Sequence, residues 1–311
     1  MQATPIVPYA SQYDEFLRQL DQQAPQGSWV QLELLRDHFL SRAVVFDDYR
    51  ASVLLDGRGR PVGAGISALV PIVLDGRRTT AGFGFDVKVL PAYRGQHYAS
   101  RLAAHAIEHH FKPGGADLQL LTTKKSNKLI LGRMIGRLMD SRLYDFVYLT
   151  LPTRRPLRPG RAGGEAVRLH IDLLSDRADL QTYYELAPAG FGIWHLHKCY
   201  QLRISQLHPL LRAALRLQAL LRGPQAALPQ QGSVLRMAAL FRFSEAQPVQ
   251  LDSYLPALAQ QGIDYLLVCC RRGDRLYQQL QPSSIYTYDY YLIGNHDFSQ
   301  NQAITLDVRC L

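Results

Sequence analysis

Cysteine is scarce in this chain: four in 311 residues, at Cys199, Cys269, Cys270 and Cys310. Two are adjacent, a spacing that strains a disulfide, so all four read as reduced thiols and a disulfide framework is excluded. Long apolar runs are missing as well. Stretches such as ISALVPIVL at 66–74 fall well short of the roughly 18 to 20 residues that cross a bilayer, so no transmembrane helix is expected. The opening MQATPIVPYASQYDEF has neither a basic start nor an apolar stretch before a cleavage site. It does not read as a signal peptide, and a cytoplasmic location is the expectation. Acidic residues are in deficit, 26 against 35 Lys plus Arg, for a net charge of +9. That balance favours a polyanionic partner: nucleic acid, anionic lipid, an acidic carrier protein or a phosphorylated cofactor.

What is present is a core-forming composition, 47% apolar and 20% charged, long enough for one large or two ordinary domains. The segment 152–166, PTRRPLRPGRAGGEA, has almost nothing for a core and is the linker candidate. It divides the chain into 1–155 and 156–311. There are 20 basic and 14 acidic residues before position 156 against 15 and 12 after it, so the basic excess leans to the first half.

In the first half, residues 51–56 and 62–74 predict two strands joined by a turn at Gly57, Arg58 and Gly59, followed by a strand at 79–90. Residues 98–111 predict an amphipathic helix, with Leu102, Ala106, Ile107 and Phe111 on one side. A strand at 117–123, a helix opened by Ser126 and Asn127, and a strand at 143–151 complete the half. The second half predicts a helical insertion at about 178–222. It continues with a strand at 234–243, a helix at 251–260, a strand at 264–270, a helix at 274–280, and strands at 286–293 and 303–308. The two orders match from the strand at 79–90 onward, which predicts two copies of one fold, in each a mixed, mostly antiparallel sheet flanked by helices: an α/β (α+β) class.

The segment VLPAYRGQHYASRL at 89–102 carries the chemistry. A tight loop at a helix start presents backbone amides and the positive end of the helix dipole to an anion. The segment resembles motif A of the GNAT superfamily, the Gcn5-related N-acetyltransferases. Val89, Pro91, Tyr93, Arg94, Gly95 and Ala99 match the pattern, Gln96, Tyr98 and Ser100 fill the remaining positions, and His97 stands where the family has a second glycine. The resemblance covers about residues 45–151 and implies that the loop, Arg94, Gly95, Gln96, His97, Tyr98 and Ala99, holds the pyrophosphate of acetyl-CoA or another acyl-CoA. It further implies that Asn127 contacts the pantetheine arm and that Val87 and Val89 bond the pantetheine and acyl group beside a splayed strand. The acceptor amine would attack the thioester directly. The C-terminal half, with SEAQPVQLDS in place of the loop, would be a degenerate copy.

Direct transfer needs a base and, for the departing thiolate, often an acid. Asp86 is the base candidate because it interrupts an apolar strand just before the cofactor segment; the alternative is a solvent-facing residue paired with Lys88 on the same face. The acid position common in the family falls near Met134, and Tyr144 is the substitute candidate, against a packing role. His195, His197 and Cys199 have ligand spacing on a strand, and His105 and His109 on a helix, but no fourth ligand is signalled, so no metal is expected. The leucine-rich stretch 205–223 suits either core packing or an anionic lipid surface, and Tyr286, Tyr288, Tyr290 and Tyr291 suit core or a ligand cleft. No nucleic-acid-binding pattern appears. The expected function is acyl transfer from acyl-CoA to a primary amine. The alternatives are a non-catalytic acyl-CoA-binding module and an acyltransferase that takes its acyl group from acyl carrier protein.

Overall fold

The computed structural model describes residues 5–22, 30–74, 77–125, 127, 142–161, 163–164, 169–171, 178–213, 230–243, 246–297 and 304–306. The first half contributes β1 (Ile6–Pro8), helix α1 (Asp14–Gln22), β2 (Val30–Leu35), a 3-10 turn (Phe39–Val45), β3 (Asp48–Leu55), β4 (Pro61–Leu74), β5 (Arg77–Val89), α2 (Tyr98–Ala106), β6 (Leu118–Lys124) and β7 (Arg142–Pro152). The second contributes β8 (Leu169–Ile171), β9 (Tyr184–Leu186), β10 (Gly192–Trp194), β11 (Gln201–Leu207), β12 (Val234–Leu235), β13 (Met237–Phe241), α3 (Pro248–Gln260), β14 (Tyr265–Cys270), α4 (Arg275–Leu280), β15 (Tyr286–Gly294) and β16 (Ile304–Leu306).

Eleven strands form one sheet in the order β1-β3-β4-β5-β6-β15-β7-β14-β13-β10-β9. Two neighbour pairs are parallel, β5 with β6 and β13 with β14, and the rest are antiparallel. Each parallel pair needs a crossover, and α2 and α3 supply them. The last long strand of each half is inserted into the other. β15 lies between β6 and β7, while β7 lies between β14 and β15. The halves are therefore related by a reciprocal strand exchange and share one sheet.

Alternation sorts the side chains onto two faces. Ala64, Ile66, Ala68, Phe83, Phe85, Leu120, Phe146, Tyr148, Ala239 and Trp194 share one core with Leu17 and Leu20 of α1 and Phe39 of the 3-10 turn. On the other face Val147, Leu149, Leu266 and Val268 pack under Leu251, Leu255 and Leu258 of α3, and Leu54 and Val62 pack under Leu102 of α2. Beyond α2 the chain turns through a π turn, Ile107–Phe111, and seats Phe111 on Gly82, where a Cβ would lie 2.4 Å from the ring. A small sheet, β12-β11-β2, adds to the first face, with Leu202 and Leu235 against its core. It joins the halves a second time through the β2 and β11 pair.

The hairpin between β3 and β4 forms as expected, with Gly59 at φ 76 and the Asp56 carboxylate accepting from the amides of Arg58 and Arg60 at 2.8 and 2.9 Å. The expected helical insertion at 178–222 is corrected: between 184 and 207 it holds three strands, β9, β10 and β11. Trp194, Ile204 and Leu207 are buried there, and their pairing with β13 and β2 overrides local propensity. The strand expected at 234–243 is broken into β12 and β13, which belong to different sheets. The helix expected from Ser126 lies outside the described residues except for Asn127, as does 214–229 of the leucine-rich stretch. The linker candidate is docked on the second half: the amides of Leu157, Arg158 and Arg161 donate to Asp252, Ser283 and the Gln278 carbonyl.

Candidate functional site

β5 and β6 run side by side only from Ala81 and Leu118 to Gly84 and Leu121. Both continue beyond that point, β5 to Val89 and β6 to Lys124, so the sheet splays. From Phe85 on, the edge of β5 that faced β6 has no strand partner among the described residues. On its other edge β5 carries a bulge: Ala64 pairs with Lys88 and Ile66 with Phe85, leaving Gly65 opposite both Asp86 and Val87. Asp86 takes φ 50 there. An unladdered edge beside a bulge is a docking position for an extended ligand chain.

Val87 lies in the bulge, with its side chain toward α2 near Gly65 and Leu102. β5 then ends at Val89, and its carbonyl accepts a 3.2 Å hydrogen bond from Nε of Arg94, so the arginine is folded back against the strand it follows. The loop from Arg94 to His97 is exposed. Gly95 has φ 85 and His97 φ 61 with ψ 16. His97 thus keeps the left-handed backbone that glycine would adopt freely, at a cost of about 1–2 kcal/mol for a residue with a Cβ. The first helical bond of α2 runs from the Arg101 amide to the His97 carbonyl, so the amides of Tyr98, Ala99 and Ser100 lie in the first turn, where no intrahelical acceptor exists. These features fit a diphosphate. Gln96 lies at the loop tip. Asn127 stands just past the end of β6, half-buried, with Nδ2 donating to Thr123 Oγ1 at 3.3 Å.

Asp86 is neither solvent-facing nor paired with Lys88. Its side chain is 4% exposed and binds Arg36 at 2.7 Å and Arg42 at 2.5 Å. Arg36 also holds Asp21 of α1 at 2.6 Å, and Lys88 contacts the same Asp21. The bulge inserts a residue between Phe85 and Lys88, so simple alternation along β5 fails. Although burial opposes its charge, the two guanidinium groups hold the Asp86 carboxyl below the usual carboxylate range. A carboxylate so held is a poor proton acceptor near neutral pH.

Tyr144 is not brought to Asp86. It lies on β7, three strands from β5 in the sheet order, about 14 Å away at ordinary strand spacing, and its hydroxyl donates to the His296 carbonyl at 2.8 Å. On the Asp86 side of the splay, the acceptor-side recess of the proposal below, the fold gathers a set the sequence did not signal. Arg42 lies 5.4 Å from the Phe85 ring and 5.8 Å from that of Tyr200, and Tyr290 packs edge-on against Tyr148 at 4.9 Å. Burial raises the hydroxyls of Tyr200, Tyr290 and Tyr148 and pushes the Cys199 thiol up to about 12. Arg36 and Tyr200 arrive here because β2 and β11 end together, Leu35 opposite Gln201. The tyrosine pattern on β15 was the one legible hint.

His195, His197 and Cys199 lie around a 3-10 turn, Leu196–Lys198, rather than on one face of a strand. Among the described residues no group of three metal-ligating side chains is assembled. No described helix is long and apolar enough to cross a membrane.

A mixed sheet that splays beside a parallel crossover, with an exposed loop at the start of the crossover helix, is a GNAT-like fold. Residues 13–130 match the model of the acetyltransferase (GNAT) family. The fold of the chain is similar to the GCN5-related glucosamine N-acetyltransferase region of a fungal multi-domain β-N-acetylglucosaminidase, at TM-score 0.51 and 12% identity over 94% of this chain and 38% of that one. The chain thus spans well under half the length of that protein. It is also similar to Saccharomyces cerevisiae N-myristoyltransferase with bound myristoyl-CoA, at TM-score 0.53 and 8% identity over 94% of this chain and 79% of that one. A tandem GNAT protein from the clavulanic acid biosynthesis pathway aligns over 95% of this chain and 99% of its own at TM-score 0.47 and 12% identity. No curated protein matches in sequence.

Proposed function

We propose that the chain is an acyl-CoA-dependent N-acyltransferase. The observation that carries this is the continuity between the open edge of β5 from Phe85 and the exposed loop 94–97 at the start of α2. An acyl-CoA laid with its pyrophosphate on the amides of Tyr98 to Ser100 and its pantetheine along β5 brings the thioester to the splay, beside the recess of Arg42, Tyr200 and Tyr290. A primary amine entering the recess attacks the thioester carbonyl. The developing oxyanion requires an aimed donor, and the backbone of the Asp86 and Val87 bulge supplies amides outside the β4 register at that place. Asp86, with its arginines, shapes the acceptor side of the site. Tyr144 and Asn127 take supporting positions on β7 and beyond β6.

Calorimetry with acetyl-CoA, longer acyl-CoAs and free CoA tests the donor, and product formation across an amine panel tests transfer. Micromolar binding followed by turnover is expected. Absence of binding at millimolar ligand by the folded protein would end this proposal; binding without turnover would make the chain an acyl-CoA-binding module, and transfer from acyl carrier protein alone would change the donor.

A further inference from the structure

We infer that Lys124, rather than Asp86, takes the proton from the acceptor's ammonium; the inference rests on the acyltransferase function proposed above. Lys124 is the last residue of β6, beyond the final β5 pair at Leu121, so it stands on the opposite rim of the splay from Asp86. Its register partner is Tyr290, which places it on the recess face. Its Nζ lies 5.8 Å from the centre of the Tyr288 ring, and no carboxylate pairs with it among the described residues. Its neighbour Lys125 is held by Asp145 at 2.6 Å.

The other titratable groups facing this recess are committed or unsuited. On β5, Asp86 is fixed between Arg36 and Arg42; Lys88 is also brought down to about 8 by burial, but it contacts the Asp21 carboxylate, an ion pair that deprotonation would break. Burial raises Tyr288 and Tyr290 of β15, Tyr148 of β7, and Tyr200 and Cys199 before β11, so these hold their protons. For Lys124 the same burial acts in the opposite sense and brings the ammonium down to about 8, because the charged form is the one that loses hydration. A base poised there exists in part as the free amine under ordinary conditions.

The step balances. The acceptor ammonium gives one proton to the Lys124 amine; the freed amine forms the C–N bond at the thioester carbonyl; the C–S bond breaks with its electron pair on sulfur. The second nitrogen-bound proton passes to that sulfur, so the products are an amide, the free thiol of coenzyme A and a Lys124 ammonium that returns its proton to solvent.

Lys124→Met and Lys124→Arg in the full chain test this, with acyl-CoA affinity measured by calorimetry and rates followed against pH. Both variants are expected to lose about 100-fold or more in kcat with acyl-CoA affinity unchanged. Arginine is expected to do no better than methionine, because it keeps the charge and does not release a proton. Labelling of the wild-type Nζ by acetic anhydride, followed by mass spectrometry, is expected to rise through a titration near 8. A Lys124→Met rate near that of the wild type, rescue by Lys124→Arg, or labelling that titrates near an ordinary lysine value of about 10.4 would each overturn the inference. A folded wild type that does not bind acyl-CoA would instead overturn the proposed function, and this inference with it.

Discussion

The two parallel crossovers, β5-α2-β6 and β13-α3-β14, have the same order and place their helices on the same face of the sheet, yet the residues that lead into the helices differ. Before α2 the backbone is left-handed at Gly95 and His97 and the loop is exposed. Before α3 the capping residue Gln247 has φ −109, and Pro248 occupies the first turn, where it has no amide hydrogen to offer. The Gln247 side chain is also used within the protein, donating to the Ala189 carbonyl at 2.6 Å. On the proposed function, acyl-CoA therefore binds at the first crossover alone, where the residues before the helix turn outward. The same contrast recurs on the strands. Asp86 and Arg242 both take positive φ, 50 and 52, shortly after their parallel pairing ends, but Asp86 is enclosed by two guanidinium groups while Arg242 is exposed.

This comparison can be broken in several ways, and the largest effect is expected from separating the halves. A chain ending at residue 155 lacks β15 between β6 and β7, so a cooperative unfolding transition should be lost; a well-folded fragment that binds acyl-CoA would show that the halves are independent. Asp86→Asn leaves Arg36 and Arg42 short of a counter-charge and should cost about 3–5 kcal/mol in denaturant unfolding. Arg242→Asn, at the corresponding kink, should stay within about 0.5 kcal/mol. Equal effects would erase the distinction.

Acid sensitivity follows from the same carboxylate. Its folded pKa lies below the ordinary 3.8, so its contribution is fully present above about pH 4 and is lost as pH falls through the lower folded value. The wild type should therefore lose stability below about pH 4 more steeply than Asp86→Asn; parallel profiles would contradict this. Smallest is His97→Gly, expected to stabilise by about 1 kcal/mol through relief of the left-handed backbone and to tighten acyl-CoA. Across these variants calorimetry should give one acyl-CoA per chain, and a second site would refute the account of α3.

Much of the first half was legible because hydrophobic alternation in β3 to β7 and the turn at Gly59 are local signals. The loop at 94–97 was legible for the same reason: a run of four residues carries its own geometry. The insertion at 178–207 was not, since its strands are short and gain their stability from β2 and β13, far away in sequence. The burial of Asp86 was not legible because the bulge turns it onto the core face beside Phe85, and nothing in GFGFDVKVL marks the bulge. Arg36, Arg42 and Tyr200 carried no signal at all; each lies in an ordinary local context and reaches the recess only through the ends of β2, the 3-10 turn and β11.

By itself, the sequence determined most elements of the first half and the exposed turn ahead of its crossover helix, because each is written in periodicity and turn residues within a few positions of one another. Only the tertiary structure decided that the halves exchange strands, that Asp86 is a buried ion-pair centre, and that Lys124 stands on the rim of the splay with no carboxylate paired to it among the described residues. Those depend on which distant groups share a desolvated space, and charge states are set there by the neighbours that folding supplies.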